Sequence, residues 1–271
     1  MKNYRIAIPS FNRPEVIKSK TLALLESYNI PFENIDLFLE NDEQYEKYYA
    51  SLNSDKYQSI NPIITYTKGI GLKRNYIRWH YKENTDYTYI FCIDDDIDSI
   101  CEKIDDKTIK PVDDLDSLIC NCFFSTEVRK LNMWGVNGCH NPFFLKDTIS
   151  TNLKYICGAF FGIIINRKSN KKILQTSYNH FEDFCFSVQH FIRDGGVVRF
   201  NKLCIKTKYF GEGGINESYG GLDKRKNDMK MAGLRFVGEY GDYARLIEKE
   251  YGFDIRLKHT AKSPKEPVLV N

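Results

Sequence analysis

Three adjacent carboxylates, Asp94-Asp95-Asp96, follow the apolar run YTYIFCI of residues 87–93. Side by side at the mouth of a buried strand they repel one another and lose hydration, so they require positive charge nearby. A divalent cation meets that need. Mg²⁺ or Mn²⁺ is held by one or two protein carboxylates together with the oxygens of a bound diphosphate. On an extended chain Asp94 and Asp96 point one way and Asp95 the other. Asp94 and Asp96 are therefore the expected metal ligands, at the strand end where open α/β sheets bind their ligands. The alternative is a solvated acidic loop that includes Asp98.

Three further stretches could complete such a site. Gly69-x-Gly71-x-Lys73-Arg74-Asn75 precedes a helical pattern. Its glycines permit a tight turn, the helix start offers free N–H groups, and Lys73 and Arg74 add charge, which together suit a diphosphate. A helix cap with two solvated cations reads equally well. Pro9-Ser10-Phe11-Asn12-Arg13 follows the first apolar run. Glu182 and Asp183 open a later helix, where a carboxylate desolvated among aromatics could take a proton from a hydroxyl. Acids in a first turn also favour the helix dipole and cap free N–H groups.

The elements that must position these residues alternate between strand and helix. Strands are expected at Tyr4–Ile8, Ile35–Leu39, Ile63–Tyr66 and Tyr87–Ile93. Ile17, Thr21, Leu24, Leu25 and Tyr28 mark one helical face, and further helices are expected over Glu43–Leu52 and from Leu72. This order predicts a parallel, doubly wound sheet. The second half is mixed: a helix over Asp114–Leu131, strands at Met133–Gly138 and Tyr155–Ile165, and a helix over Glu182–Ile192. A hairpin is expected from Val197–Phe200 and Leu203–Tyr209 around Asn201-Lys202, then a short helix over Asp242–Tyr251 and an extended tail over Lys258–Asn271. No element is assigned to Asp223–Met231.

With 271 residues, 42% hydrophobic and 28% charged, the chain reads as one globular domain of ordinary composition. Its formal charge of +3 does not by itself indicate nucleic acid. The eight cysteines show neither a CxxC pair nor zinc spacing and read as reduced core residues. The N-terminus MKNYRIAIPS has no signal-peptide core, and no apolar run is long enough to span a membrane. A cytoplasmic location is expected, the host cytoplasm if the chain is phage-encoded.

Taken together, PSFNRP after the first strand, GIGLKRN before a helix, IDDD after the fourth strand and HFEDFCF at a later helix start resemble the GT-A nucleotide-sugar glycosyltransferases over about residues 1–210. The resemblance implies a GT-A (Rossmann-like) α/β fold, a mostly parallel central sheet flanked by helices with C-terminal elaborations. Residues 1–210 would form the core and 211–271 a glycine-rich, basic extension packed on the same domain. It implies a nucleotide-sugar site at Pro9, Ser10, Asn12, Arg13, Gly71, Lys73, Arg74, Asn75, Asp94, Asp95 and Gly158. Mn²⁺ or Mg²⁺ would bind at Asp94 and Asp96, and Asp183 would be the base of an inverting transfer, with Glu182 as the alternative. Trp134, His140 and Asn141 could face the acceptor. The late histidine that serves many GT-A enzymes as a metal ligand is missing near Lys206–Gly214, and His259 lies further on.

Within that family the chain is most similar to the TET-associated glycosyltransferases, relatives of the base J glucosyltransferase, through Gly213-Gly214-Ile215-Asn216-Glu217-Ser218-Tyr219-Gly220-Gly221 and Asp223-Lys224-Arg225. That likeness implies glucose taken from a UDP-sugar donor, UDP-glucose, and placed on a hydroxymethylpyrimidine of double-stranded DNA. Lys208, Gly213, Gly214, Asn216, Lys224 and Arg225 would meet the acceptor. Basic residues interleaved with aromatics suit a nucleic-acid backbone and a flipped base, and equally a solvated flap. A saccharide or protein acceptor, or a metal-dependent nucleotidyltransferase or nuclease, remain the alternatives.

Overall fold

The computed structural model describes residues 3–165, 172–207, 222–249 and 252–263, and for 222–225 the backbone alone. Its first half follows the expected alternation. Strand β1 (Tyr4–Pro9) leads into helix α1 (Pro14–Ile17), which continues through a wider π-helical stretch, Lys18–Leu22, into α2 (Ala23–Ser27). Strand β2 (Ile35–Leu39) is followed by α3 (Asp42–Ser51), capped by the Asn41 side chain on the Gln44 N–H at 3.0 Å. Strand β3 (Asn61–Ile64), helix α4 (Ile70–Glu83) and strand β4 (Tyr89–Ile93) complete the series.

Strands β5 (Ile97–Lys103) and β6 (Ile109–Pro111), helix α5 (Leu115–Val128), and strands β7 (Met133–Asn137), β8 (Ile149–Ser150) and β9 (Phe160–Ile164) come next. Helix α6 (Glu182–Asp194), strand β10 (Val198–Thr207), helix α7 (Leu222–Tyr240) and the ribbon β11 (Ala244–Lys249) and β12 (Gly252–Leu257) end the fold.

The large sheet runs β3-β2-β1-β4-β9-β7-β10-β5-β6, with β8 beside β10. Pairings from β3 to β4 are parallel, and β9 lies antiparallel to β4. Because β2 and β3 lie on one side of β1 and β4 on the other, the winding reverses between β1 and β4, and a crevice opens at their C-terminal ends. Strand alternation divides the core. Tyr4, Ile6 and Ile8 of β1, with Phe91 and Ile93 of β4, pack under Ile17, Leu25, Ile119 and Phe123. Ala7, Ile90 and Cys92 face the opposite way, onto Ile77 and Tyr81 of α4 and Phe186 of α6.

Only three residues separate β4 from β5, yet the two strands stand four places apart in the sheet. Four flat inter-strand steps cover about 19 Å, whereas four residues reach at most about 14 Å. The sheet therefore curls back on itself, and the aspartates occupy the joint. Strand β10 makes the curl: it pairs with β7 at its start and with β5 at its end, with a register shift between Phe200 and Cys204.

Several sequence expectations change here. The expected hairpin at Asn201-Lys202 is one continuous strand, β10. The turn-forming tendency of Asn201 is satisfied within the strand, its amide donating to Thr148 Oγ1 at 3.1 Å and Ser150 Oγ at 2.8 Å of the β8 segment. The expected helix over Asp242–Tyr251 is instead the β11–β12 ribbon, paired in register from Ala244↔Leu257 to Lys249↔Gly252. Residues 223–231 lie inside α7. The strand expected over Tyr155–Ile165 begins only at Phe160. Helix α6 is covered on two sides, by the sheet through Phe186 and by α7 and the ribbon through Cys185, Val188 and Phe191. Six of the eight cysteines are buried, and none is in a disulfide. Among the described residues no helix is long and apolar enough to cross a membrane.

Candidate active site

The crevice between β1 and β4 holds a cavity of about 120 Å³, lined by Ser10, Arg13, Lys73, Arg74, Asp94, Asp95 and Glu182 among others. The loops that build it are short and follow buried strands, so its side chains are fixed by the sheet. Asp94 follows β4 directly, its N–H donating to the Ala159 carbonyl at 3.0 Å, while Asp95 and Asp96 form the turn into β5. The extended geometry expected for all three aspartates thus ends at the first.

Asp95 is 1% exposed and structural in its contacts. Ser10 Oγ donates to one of its oxygens, and Arg13 Nη2 pairs with the other at 2.5 Å. Burial raises its pKa to about 7, against the opposing pull of Arg13 and Ser10. Asp96 pairs with Arg13 Nη1 at 3.0 Å and accepts from Thr207 Oγ1 at 2.9 Å, which ties the turn to the end of β10. Asp94 pairs through one oxygen with Arg74 Nη2 at 3.0 Å, and burial raises its pKa.

Arg74, 4% exposed, is the hub. Its Nε meets Glu182 Oε1 at 3.3 Å, and its guanidinium lies 5.4 Å from the Phe161 ring centre. Its Nη1 is buried without a hydrogen-bond partner among the described residues. Burial alone would lower its pKa, but Asp94 and Glu182 hold it above its ordinary value. Lys73, equally buried, donates to the Ser10 carbonyl at 2.9 Å, and burial lowers its pKa to about 8. Arg74 and Lys73 point inward because α4 starts at Gly69 (φ 88°) against the Tyr178–Asn179 backbone, where a side chain at Gly71 would sit 1.9 Å from the Tyr178 carbonyl oxygen. Asn179 Oδ1 accepts from the Gly71 N–H at 3.2 Å. Asn75 binds the Thr176 backbone through both ends of its amide, at 2.7 and 2.9 Å, and so fastens α4 to the chain before α6.

Glu182 and Asp183 do different things. Glu182 faces the cavity and Arg74. Asp183 accepts from Tyr155 Oη at 2.5 Å, from the Gly158 N–H at 3.3 Å and from the Phe184 N–H at 2.9 Å. Burial raises both pKa values; for Glu182 the neighbouring Asp183 adds to the rise, and for Asp183 the Tyr155 hydroxyl opposes it. The preceding Phe181 takes a left-handed φ of 67°, an uncommon conformation for a bulky residue, and its buried ring packs in the cluster under α7. Gly158 is the place where the two halves meet: a Cβ there would lie 3.0 Å from Arg74 Nη2 and 3.1 Å from Asp183 Cβ.

The structure brings Pro9, Ser10, Arg13, Lys73, Arg74, Asp94, Asp95 and Glu182 to one cavity, with Gly158 and Asp183 against Arg74. Asn12 is not on the cavity wall; its N–H donates to Gln44 Oε1 at 2.7 Å. Trp134 does not face an acceptor. It is fully buried in the sheet core against Gly162, whose missing side chain makes room for the indole. His259 binds the Leu153 carbonyl at 3.0 Å, away from the aspartates. Lys208, Gly213, Gly214 and Asn216 lie outside the described residues, as do the side chains of Lys224 and Arg225. Sequence reasoning missed Thr207, Tyr155 and Asn179. Each acts through a partner far away in the chain, so only the end of a strand or loop marked them. Glu40, also on the cavity wall, stood at the end of β2 and could have been read from that position.

Among the described residues no group of three or more His, Cys, Asp or Glu side chains is placed to hold a metal. What is present is two carboxylates, Asp94 and Asp96, each sharing an oxygen with an arginine. That donor set fits a hard cation only when a diphosphate supplies further oxygens, and the unpartnered Nη1 of Arg74 fits the same anion.

No protein-family model matches the sequence, and no curated protein matches it. Among solved structures the chain is similar to the mannosyltransferase PcManGT from Pyrobaculum calidifontis, determined with GDP-Man and Mn²⁺. The TM-score is 0.53 at 9% identity, over 87% of this chain and 64% of that one. It also matches glucosyl-3-phosphoglycerate synthase from Mycobacterium tuberculosis, determined with Mn²⁺, UDP and phosphoglyceric acid, at a TM-score of 0.46 and 9% identity over 97% and 90% of the two chains. The chain thus spans just under two thirds of the mannosyltransferase's length. The first likeness establishes a shared fold, the GT-A type of α/β architecture.

Proposed function

We propose that the chain is a metal-dependent glycosyltransferase that moves a sugar from a nucleotide-diphosphate donor to an acceptor hydroxyl. The observation that supports it most is Arg74, buried on the cavity wall between Asp94 and Glu182, with its Nη1 left without a hydrogen-bond partner among the described residues. Arg74, Lys73 and the N–H groups at the start of α4 hold the diphosphate as negative charge grows on it. Asp94 and Asp96 would hold a divalent cation, which supplies further neutralisation of the leaving diphosphate when bound.

In the transfer, the acceptor oxygen bonds to the anomeric carbon, the bond from that carbon to the diphosphate oxygen breaks, and the hydroxyl proton passes to the Asp183 carboxylate. Asp183 suits the base because its carboxylate is oriented by Tyr155 and Gly158, and the residue as a whole is less buried than Glu182. Glu182 is committed to Arg74 and positions it. The resemblance carries the finer reading: UDP-glucose as donor, an inverting course, and a hydroxymethylpyrimidine of duplex DNA as acceptor, met by Lys208, Gly213, Gly214, Asn216, Lys224 and Arg225.

The test is to incubate the protein with UDP-glucose and Mn²⁺, with and without hydroxymethylated duplex, and to measure UDP release and the mass of digested nucleosides. A nucleoside heavier by one hexose is expected, and Asp183→Asn should lower turnover about 10²- to 10⁴-fold with donor affinity retained. Full turnover in Asp183→Asn would remove the base assignment. Failure to turn over any nucleotide sugar, or cleavage of the DNA strand, would remove the transferase reading.

A further inference from the structure

The end of the sheet opposite the aspartates holds a second cavity, of about 150 Å³. Arg78 and Lys82 reach it from the last turns of α4, Arg193 from the end of α6, and Lys172 from the segment before α6. Its floor is the end of β9, where Ile164 lies across from Tyr89 at the start of β4. It therefore has no wall in common with the crevice between β1 and β4.

Arg78 is 6% exposed, and its contacts are with uncharged groups. Its guanidinium stacks 3.8 Å from the Phe186 ring centre, and Nη1 lies 3.1 Å from His190 Nε2. Nη2 is buried with no hydrogen-bond partner, and no carboxylate pairs with Arg78, among the described residues. The charged neighbours that act on it are Arg193 and Arg74, both of its own sign. Burial lowers its pKa to about 9, so it remains a cation at neutral pH.

His190 supplies no negative charge. Burial takes its pKa down to about 4, and as a neutral ring it donates from Nδ1 to Asp194 Oδ2 at 2.8 Å and accepts from Arg78 at Nε2. The nearby carboxylate, Asp194, also takes both Nε and Nη2 of Arg193, at 2.8 and 2.7 Å. A cation buried without a counter-ion is among the least tolerated groups in a protein interior. Here it stands in a cavity whose other charged walls are also cationic.

We propose that this cavity binds a phosphate-sized oxyanion, free or as the terminal group of a phosphomonoester, with Arg78 Nη2 as the buried donor and Lys82 and Lys172 as outer cations. Arginine presents its donors in a fixed plane that matches such an oxyanion. Neither the transferase reading nor its donor is needed for this inference.

Thermal unfolding of the full chain, at ionic strength held constant with chloride, tests it. Tm should climb with the logarithm of inorganic phosphate concentration, as binding to the folded state alone requires. Arg78→Gln should abolish the climb. Lys172→Gln and Lys82→Gln, changes at more exposed positions that keep the test available if Arg78→Gln does not fold, should each weaken phosphate several-fold. UDP affinity, measured on the same variants, should not change. Glycerol 3-phosphate decides the source: tighter binding than inorganic phosphate marks a terminal group, weaker binding a free ion. A wild-type Tm that ignores phosphate, or a phosphate response identical in all variants, would overturn the proposal.

Discussion

Arg74 and Arg78 stand one helical turn apart on α4 and are buried to nearly the same degree, yet their surroundings are opposite. Arg74 has Asp94 and Glu182 within 3.3 Å. Arg78 has an aromatic face, a neutral imidazole and another arginine. One helix thus presents the same side chain to carboxylates at the C-terminal end of the sheet and to a cavity lined by other cations at the other. Burial of an arginine says little by itself; what matters is the sign of the groups that the sheet brings to it.

This contrast can be broken by measurement. Arg74→Met strands Asp94 and Glu182 in the interior and should destabilise the fold by about 3–5 kcal/mol in urea unfolding. A loss below about 1 kcal/mol would show that the carboxylates gain nothing from their partner. The acid response of the Arg78 end comes next. His190 has a folded pKa of about 4 against about 6.5 unfolded. Between those values the unfolded chain binds a proton that the folded chain refuses, so the contribution of His190 to stability is complete above about pH 6.5 and falls as pH drops toward 4, by about 2–3 kcal/mol. Asp194, held below the usual carboxylate range by hydrogen bonds from His190 and Arg193 that outweigh its burial, acts in the same direction. The carboxylates of the crevice, with raised pKa values, act in the opposite direction over this range. The measurement is therefore the difference in urea stability between wild type and His190→Gln, which should shift against the wild type by about 2–3 kcal/mol from pH 7 to pH 4. The smallest effect is expected from Arg78→Met, within about 1 kcal/mol of the wild type or above it in phosphate-free buffer, because an uncompensated charge leaves with the hydrogen bond. A loss like that of Arg74→Met would erase the contrast.

Most of the first half of the fold could be read directly, because β1, β2 and β4 are short apolar runs; β3, expected at Ile63–Tyr66, lies two residues earlier, at Asn61–Ile64. Ile35–Leu39 matches to the residue. The second half misled where a local signal was outweighed from far away. Asn201 reads as a turn until Thr148 and Ser150 satisfy its amide. Residues 244–249 read as helix until β12 pairs with them. At the site, the residue types were visible and their division of labour was not. Asp95 could not be known as the buried anchor of Arg13, because the turn that places it depends on the curl of the sheet. Gly158 appeared as a place for a sugar to approach. In the fold it lets Arg74 and Asp183 approach each other.

The joint between β4 and β5 has a consequence for the order of assembly. Asp96 is held by Thr207, 111 residues downstream, and helix α6 with the segment before it, which bring Glu182, Asp183 and Asn179, also arrive late in the chain. On a ribosome the aspartate turn is made early, but its acidic cluster waits for β10 before its last partner exists. Closing so long a loop is slow relative to the local winding of the first four strands. The cluster should therefore be among the last parts to become protected in a pulse-labelled refolding experiment.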